Sequence, residues 1–299
     1  MPELPDVEVY RERLEARLVG QQLLGVRLRS PFLLRTAVPP LSDATGRTFR
    51  AVRRVGKRLA LGLDGDLWLV IHLMVAGRLR WAKVGAKPPG QGGLAAFDLP
   101  TGTLIFTEVS KKKRASLHVV AGEGALADFD RGGLDPLTAT PAQVAERLRA
   151  ERHTLKRSLT DPTLFDGIGG AYGDEILHRA GLSPVAWSDG VDDAGIARLT
   201  DAMRDVLTWW TDHLRAEVGD GFPDKVTAFR PEMAVHGRHG QPCPVCGDPV
   251  QRIVYADRET NYCATCQTGG VLLRDRALSQ LLKKDWPRTL EELEELRRR

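Results

Sequence analysis

The spacing of apolar residues predicts one N-terminal helix followed by a long β region. Val7, Tyr10, Leu14 and Leu18 recur at helical spacing with charged residues between them, which predicts an amphipathic helix. From Gln22 to Val120 the apolar residues form short runs that are mostly separated by Gly, Pro and Asp. The predicted strands are 23–28, 48–52, 58–63, 67–73, 78–81, 95–99, 103–106 and 117–120. Many short strands at this spacing predict a β-sandwich or a β-barrel.

The second half of the chain returns to helical spacing. Residues 121–140 are rich in Gly, Asp, Pro and Thr, which is typical of a linker. The remaining predicted elements are helices over 141–150, 154–159, 173–181 and 194–214, a loop over 219–242, hairpin strands at 250–255 and 261–262, and a charged helical tail over 271–299. The pattern predicts an α+β protein.

Composition and charge allow many functions. The chain has 299 residues, of which 42% are hydrophobic and 27% charged, as is ordinary for a globular protein. No apolar run approaches the roughly 20 residues of a membrane span, and no secretory signal is expected. The net charge of +4 permits a nucleic-acid partner. Basic clusters at residues 50–58 and 111–114 fit such a partner, although a charge run is commonly only a solvated surface.

All four cysteines lie in two C-x-x-C motifs, C-P-V-C at Cys243–Cys246 and C-A-T-C at Cys263–Cys266. This spacing is typical of zinc, because each motif presents two thiolates and two motifs complete a tetrahedron. Four thiolates leave no open coordination position, so we predict one structural Zn²⁺ bound by Cys243, Cys246, Cys263 and Cys266. The alternative is four buried or disulfide-bonded cysteines, which a reducing cytosol disfavours.

The N-terminus carries a candidate nucleophile. If Met1 is removed, Pro2 becomes the terminal residue, and α-amino groups have pKa values near 8, so part of the amine is neutral at pH 7. A secondary amine that condenses with an aldehyde forms an electron-withdrawing iminium directly. Glu3 and Asp6 are close enough in sequence to transfer protons. The alternative is a frayed terminus, which the helix predicted from Val7 argues against.

Two glycine-containing segments are candidate ligand sites. Gly167–Tyr172, with the sequence G-I-G-G-A-Y, exposes backbone N–H groups at the positive end of a helix and favours an anion. It is not a P-loop, because no Gly-Lys-Ser/Thr follows, and a purely structural role stays open. Lys57 follows Gly56 at the start of a strand, where a glycine turn could direct it towards a ligand.

Five motifs in this order resemble the formamidopyrimidine-DNA glycosylase and endonuclease VIII family. They are P-E-L-P-D-V-E at the N-terminus, G-K at 56–57, G-I-G-G-A-Y-G-D-E at 167–175, H-G-R-H-G-Q-P-C at 236–243 and Y-C-A-T-C-Q at 262–267. The resemblance implies an N-terminal β-sandwich with an N-terminal helix, a helix–two-turns–helix domain, a C-terminal zinc-finger hairpin, and damaged or abasic DNA in the cleft between them. The expected bounds are 1–125 for the catalytic sandwich, 126–140 for a linker, 141–232 for the DNA-binding helices, 233–270 for the zinc finger and 271–299 for the tail. We expect a monomer in the cytoplasm, associated with the nucleoid.

The resemblance also implies residue roles. Pro2 is the implied nucleophile at sugar C1′, Glu3 the proton-transfer carboxylate, and Lys57 a catalytic-site cation on a phosphate near the lesion. Further implied DNA contacts are Met74, Val75, Lys112, Lys113, Arg114, Gly170, Tyr172 and, at the hairpin tip, Arg258. The implied reaction is base flipping, displacement of the base by Pro2, and strand cleavage by β- and δ-elimination.

Three departures from the family motifs concern DNA recognition. Gly170 stands where the family has a phosphate-binding Asn. The family usually places a methionine at the position of Val75, whereas here Met74 precedes it. The family's Arg–Phe wedge is replaced by E-V-S-K-K-K-R-A-S-L, which contains no aromatic residue. Specificity for 8-oxoguanine is therefore not implied.

The residues leave three functions open. The first is a bifunctional DNA glycosylase and AP lyase, which the intact Pro2 and Glu3 favour. The second is a non-catalytic or lyase-only binder of abasic or distorted DNA, which Gly170 and the altered wedge favour. The third is a zinc-ribbon protein of transcription or translation, which would explain the cysteines but not the N-terminal motif.

Overall fold

The computed structural model describes residues 1–110, 112–255, 258–274 and 286–298, without the side chains of Tyr255, Arg258 and Arg297. Its backbone divides into two compact units. Unit 1 comprises Met1–Arg131 and Trp209–Thr227, and unit 2 comprises Gly132–Thr208 and Ala228–Arg299. None of the helices in the described residues has the length and apolar character needed to cross a membrane.

Unit 1 contains a helix and two four-stranded antiparallel sheets. The helix is α1 (Leu4–Leu18). One sheet has the order β2 (Phe49–Val55), β3 (Arg58–Leu63), β4 (Leu67–His72) and β8 (Ser116–Ala121). The other has the order β1 (Gly25–Leu28), β6 (Gly93–Leu99), β7 (Gly102–Glu108) and β5 (Gly77–Ala82). The two sheets are separate, so the sandwich prediction is confirmed and the barrel alternative is wrong.

The core of unit 1 lies between the two sheets and α1. Leu61 and Ile71 from one sheet and Phe97 and Phe106 from the other belong to a single apolar cluster, which Tyr10 of α1 joins. The predicted face of α1 is therefore the buried one, because residues three or four positions apart share one side of a helix.

The outer face of β3 and β4 is also covered. Residues Glu123–Phe129, which composition assigns to a linker, form a 3-10 helix that places Leu126 in a second cluster with Ala60, Trp68 and Val70. Both faces of these strands are buried, so their sequences are continuously apolar instead of alternating.

Unit 2 begins with the predicted helices. They are α2 (Pro141–Ala150), α3 (Leu155–Thr160), α4 (Gly170–Ala180) and α5 (Asp193–Val218), the last of which ends in unit 1. Thr140 caps α2, because its hydroxyl accepts a hydrogen bond from Gln143 N (3.3 Å) while its own N–H donates to Gln143 Oε1 (2.9 Å). Gly181 caps the C-terminus of α4, and its φ of +65° is one that glycine adopts without strain.

The C-terminal part of unit 2 contains the predicted hairpin. Its strands are β9 (Gln251–Tyr255) and β10 (Arg258–Tyr262), followed by α6 (Ala264–Thr268). In the described part of the tail, residues 290–298 form α7 (Leu290–Arg298), whereas Val271 pairs with Thr289 in an isolated antiparallel bridge. The helical prediction for the tail therefore holds for α7 but not for residues 271–274.

Candidate functional site

The N-terminal residues of unit 1 are buried. Pro2 is buried, Glu3 is 3% exposed and Asp6 is 5% exposed. The N–H of Glu3 donates to Asp6 Oδ2 at 3.0 Å, which closes the first turn of α1. The interpretation of a frayed terminus is therefore wrong, and the terminus is held next to two carboxylates.

Burial also changes the terminal amine. It lowers the pKa of the Met1 α-amino group, with further lowering by the charges of Arg78 and Lys57 and opposing contributions from Glu3 and Asp6. A lowered pKa increases the neutral, nucleophilic fraction of an amine at pH 7. The predicted residues Glu3 and Lys57 therefore lie close enough to the terminus for their charges to affect the pKa of its amine.

Arg78 is a further candidate site residue, which the sequence patterns did not indicate. Its Nε donates to Val226 O (2.8 Å), and its Nη1 donates to Gly77 O (2.7 Å) and Val75 O (3.2 Å). In the sequence it is only a polar residue beside the buried Leu79 in an alternating strand. The fold alone brings this guanidinium near a terminus more than seventy positions away.

Lys57 occupies a two-residue turn between β2 and β3. The pair Val55 and Arg58 closes the hairpin, and Gly56 has a φ of +62°, as a glycine at the first turn position requires. Burial, together with the charges of Arg58, Lys57 and His118, lowers the pKa of His72 to about 4. His72 is therefore uncharged at neutral pH, and the positive charge near this turn comes from Lys57 and Arg58.

The turn between β4 and β5 carries Met74 and Val75. Met74 has a φ of +53°, which costs a side-chain-bearing residue on the order of 1 kcal/mol. Gly77 closes the turn by donating its N–H to Leu73 O (2.8 Å), and an added Cβ there would lie 2.1 Å from that oxygen. The turn leaves Val75 59% exposed and Met74 half-buried.

The loop between β7 and β8 carries the predicted basic segment. Lys112, Lys113 and Arg114 are exposed, and Lys111 lies outside the described residues. Glu108, which is 1% exposed, accepts hydrogen bonds from Arg114 N (3.1 Å) and Ala115 N (3.2 Å). This anchor was not recognised in the sequence, because a glutamate at a strand end gives no sign of burial.

The glycine-rich segment of unit 2 leads into α4. Gly170 is the first residue of the helix and is exposed, and an added Cβ would meet no atom within 4 Å. Lys156 donates to the Gly170 carbonyl and to Asp174 Oδ1 (2.7 Å). Tyr172, the other predicted DNA contact here, is only 2% exposed.

Two acidic residues tie α4 to the segment that leads to the cysteines. The buried carboxylate of Glu175 accepts hydrogen bonds from the N–H groups of Ala234 (2.7 Å), Val235 (2.9 Å) and His236 (2.9 Å). Asp174 Oδ2 lies 2.7 Å from Nδ1 of His236. The helix start and the 234–236 segment are thus one hydrogen-bonded assembly.

The four cysteine sulfurs form one cluster. All four lie within 4.8 Å of one another, with 3.9 Å between Cys243 and Cys266 and 3.4 Å between Cys246 and Cys263. A tetrahedral zinc with bonds of about 2.3 Å requires sulfurs about 3.8 Å apart, so the residues fit the ion. Burial raises the pKa of Cys263 to about 11, and zinc binding therefore displaces a thiol proton.

His178 borders the sulfur cluster from α4. Its Nε2 lies 3.3 Å from Cys243 Sγ, within hydrogen-bond distance for sulfur. An imidazole that carries its proton on Nε2 donates to the thiolate, which is the usual way a metal ligand is held from outside. Arg258 begins β10, where its backbone pairs with Tyr255, and its side chain lies outside the described part of the structure.

Three family models match the chain. They are the formamidopyrimidine-DNA glycosylase N-terminal domain over residues 1–114, the formamidopyrimidine-DNA glycosylase H2TH domain over 133–211, and the zinc finger found in FPG and IleRS over 240–269. Their order matches the two units and the cysteine hairpin described above.

Curated relatives and solved structures are similar over most of the chain. The formamidopyrimidine-DNA glycosylase of Heliobacterium modesticaldum is 36% identical, covering 89% of this chain and 100% of its own length. That of Thermus thermophilus is 35% identical, covering 90% and 100%. The Lactococcus lactis Fpg in complex with DNA containing an abasic site has a TM-score of 0.78 at 26% identity, covering 89% and 99%.

Proposed function

The chain belongs to the formamidopyrimidine-DNA glycosylase family, and from that premise we propose that it excises damaged bases and cleaves abasic sites through the amine of Pro2. The buried N-terminus carries the proposal, because burial lowers the pKa of the Met1 amino group and the charges of Glu3, Arg78 and Lys57 act on it. Removal of Met1 places the secondary amine of Pro2 in this setting. DNA glycosylases of base-excision repair act on a nucleotide turned out of the duplex, which exposes C1′.

The proposed reaction uses the chain's own residues in sequence. The neutral Pro2 nitrogen attacks C1′ and the N-glycosidic bond breaks, so the base leaves with the bonding electrons. The proton that the Pro2 nitrogen loses balances the proton that the departing base takes up. Glu3 transfers a proton to O4′ as the C1′–O4′ bond opens and the iminium forms. Loss of a proton from C2′ expels the 3′ phosphate, and a second elimination expels the 5′ phosphate.

The positive charges of Lys57 and Arg78 would favour the same reaction. Beyond the effect of burial, both cations lower the pKa of the Met1 amino group, and they would provide positive charge for phosphates on either side of the flipped nucleotide. Arg78 also fixes the β4–β5 turn through the Val75 and Gly77 carbonyls, so Met74 and Val75 have a defined place beside the terminus. We propose that this turn and the Lys112–Arg114 segment contact the duplex around the lesion.

Unit 2 would bind DNA without taking part in the chemistry. The backbone N–H groups at Gly169 and Gly170 and the positive end of α4 favour a phosphate. Zinc on Cys243, Cys246, Cys263 and Cys266 would be structural, since four thiolates close its coordination sphere. The zinc would stabilise the hairpin of β9 and β10. Arg258 is the first residue of β10, and we propose that it contacts another phosphate.

Borohydride trapping on DNA with a preformed abasic site tests the nucleophile. The native protein should form a covalent adduct, because borohydride reduces the iminium. A variant with one added N-terminal residue places Pro2 in a peptide bond and should form none, and Pro2→Gly should react far more slowly. An adduct that forms equally well in the extended variant would contradict the assignment of Pro2.

Glu3→Gln separates the two proposed activities. It keeps the amine and should still be trapped on preformed abasic DNA, but its excision of damaged bases should fall by about 10²–10⁴-fold, as for loss of an acid–base group. Unchanged excision would remove Glu3 from the mechanism.

A second function remains a specific candidate, because Gly170 and the β7–β8 loop depart from the family motifs. In that case the protein binds abasic or distorted DNA without excising a base. A panel of duplexes with defined lesions distinguishes the two functions. Release of a free base from any of them would exclude the second function.

A further inference from the structure

The chain continues beyond its last matched family model, which ends at residue 269. We call the described residues 271–274 and 286–298 the C-terminal strap. Its two parts are joined to each other, since Val271 pairs with Thr289 and Leu272 N donates to Arg288 O at 2.8 Å. The helix α7 follows directly from this junction.

The strap packs against the zinc-finger hairpin. Tyr262 (1% exposed), Ala264 and Leu272 (6% exposed) form an apolar cluster. Leu273, Leu290 and Leu293 of the strap and Ile253 of β9 pack against that cluster. In addition, Leu273 N donates to the Tyr262 hydroxyl at 2.8 Å. The strap therefore makes both apolar and polar contacts with the hairpin.

The strand register shows that the strap and the rest of unit 2 use different faces of the hairpin. Tyr262 lies opposite Gln251, and Thr260 opposite Ile253, so Tyr262 and Ile253 share one face. Asn261 lies on the other face, where it is 1% exposed and its Oδ1 accepts a hydrogen bond from Gly237 N at 2.8 Å. The end of the hairpin that carries Asn261 and Tyr262 thus contacts the segment near Gly237 on one face and the strap on the other.

An isolated two-stranded hairpin is at best marginally stable in water. The cysteines constrain it only at its base, because Cys263 directly follows the last residue of β10. Arg258 lies at the opposite end of that strand. The strap extends this support, because Ile253 lies opposite Thr260 and its packing against the cluster carries the apolar contact from the base of the hairpin to its middle.

We propose that the C-terminal strap is a positioning element for the DNA contact of Arg258, with Leu290, Leu293 and Tyr262 as its positioning residues. The inference rests on the proposed phosphate contact of Arg258. The strap holds β9 and β10 in their register, so that the strand end carrying Arg258 is ordered before DNA binds. Ordering in advance raises affinity, because less conformational freedom is lost on binding.

Leu293→Asp tests the strap, with Leu296→Asp as a matched control on the same helix. Leu293 packs against the cluster, whereas Leu296 is 38% exposed and not part of it. Binding is measured on a duplex with a stable abasic-site analogue over a range of salt concentrations. Leu293→Asp should weaken binding several-fold and reduce the slope of log K against log salt by about 0.9, as loss of one phosphate contact does. Leu296→Asp should change neither quantity.

The same change should leave zinc content and chemistry intact. Bound zinc should stay at one per chain, and the rate of borohydride trapping at saturating DNA should be unchanged. Milder variants carry the test if Leu293→Asp fails to fold. Leu293→Ala shortens the apolar contact, and Tyr262→Phe removes only the hydrogen bond from Leu273. Both variants should reduce the salt slope. Leu293→Met, which keeps an apolar side chain of similar size, should have the native slope.

Combination with Arg258→Ala separates this inference from the proposed function. If Arg258→Ala alone leaves affinity and slope unchanged, the phosphate contact itself is wrong. If Arg258→Ala reduces both, the double variant with Leu293→Asp should bind no more weakly than Arg258→Ala. Further weakening in the double variant, or full affinity and slope in the strap variants, would overturn the positioning role and leave the function of Arg258 intact.

Discussion

Gly170→Asn should strengthen DNA binding. The residue is the first of α4, and the position is exposed with no atom within 4 Å of an added Cβ, so a longer side chain fits without displacing anything. Lys156 bonds to the backbone carbonyl of Gly170 and to Asp174, and these contacts persist in the variant. The carboxamide would add an N–H donor at a helix start that favours phosphate.

The size of the gain follows from two opposing contributions. A hydrogen bond to a charged group contributes about 1.5–3 kcal/mol net. Immobilising the side chain costs about 0.5–1.5 kcal/mol. About 1 kcal/mol remains, which corresponds to roughly fivefold tighter binding. The salt slope should not change, because a neutral amide releases no counterion.

Titration of a labelled abasic-analogue duplex measures this effect at several salt concentrations. Gly170→Ala is the matched control, since it makes the same backbone change without a donor and should bind like the native protein. Equal affinity of the Asn and Ala variants would show that the start of α4 does not lie at a phosphate. A gain accompanied by a steeper salt slope would also contradict it.

Four further outcomes are expected. Lys57→Met should weaken DNA binding and lower the salt slope by about 0.9, and an unchanged slope in the same titration would remove it from the interface. Cys243→Ser should lose zinc and with it DNA binding, as zinc analysis and titration together would show; normal binding by the metal-free protein would contradict a structural zinc. Glu175→Ala should reduce the free energy of unfolding by roughly 3 kcal/mol, because three backbone N–H groups lose their acceptor, and urea denaturation would detect the change. Burial lowers the pKa of the Met1 amino group from 8.0, and we expect the Pro2 amine to enter the same setting once Met1 is removed. The rate of borohydride trapping should therefore rise with pH and reach half its maximum below pH 8.0, because only the neutral amine attacks; a midpoint above 8.0 would show that the Pro2 amine is not in that environment.

Local patterns predicted most of the secondary structure. The period of Val7, Tyr10, Leu14 and Leu18 identified the buried face of α1, since a helix of any fold places such residues on one side. The predicted strands correspond to the observed β1 to β8, but local sequence does not say whether a set of strands closes into a barrel or stacks as two sheets. That choice depends on which distant strands pair, such as β4 with β8.

The metal centre was predictable for a similar local reason. Two short motifs place all four ligands near each other with only a hairpin between them, so the spacing alone predicts the zinc site. His178 was not predictable, because it reaches Cys243 from a helix more than sixty positions earlier. The same holds for the strap, whose charged sequence predicts a helix but not the hairpin face that it covers.

Sequence patterns identified the elements, the zinc ligands, the family and the candidate nucleophile at Pro2, because each rests on short motifs whose residues are close along the chain. The surroundings of that candidate nucleophile follow from the tertiary structure. Arg78 and Lys57 come near the terminus because strand pairing and sheet packing bring distant residues together, and burial lowers the pKa of the Met1 amino group in this setting. A proline at the start of a chain is an ordinary residue until the fold excludes water from it and surrounds it with opposing charges.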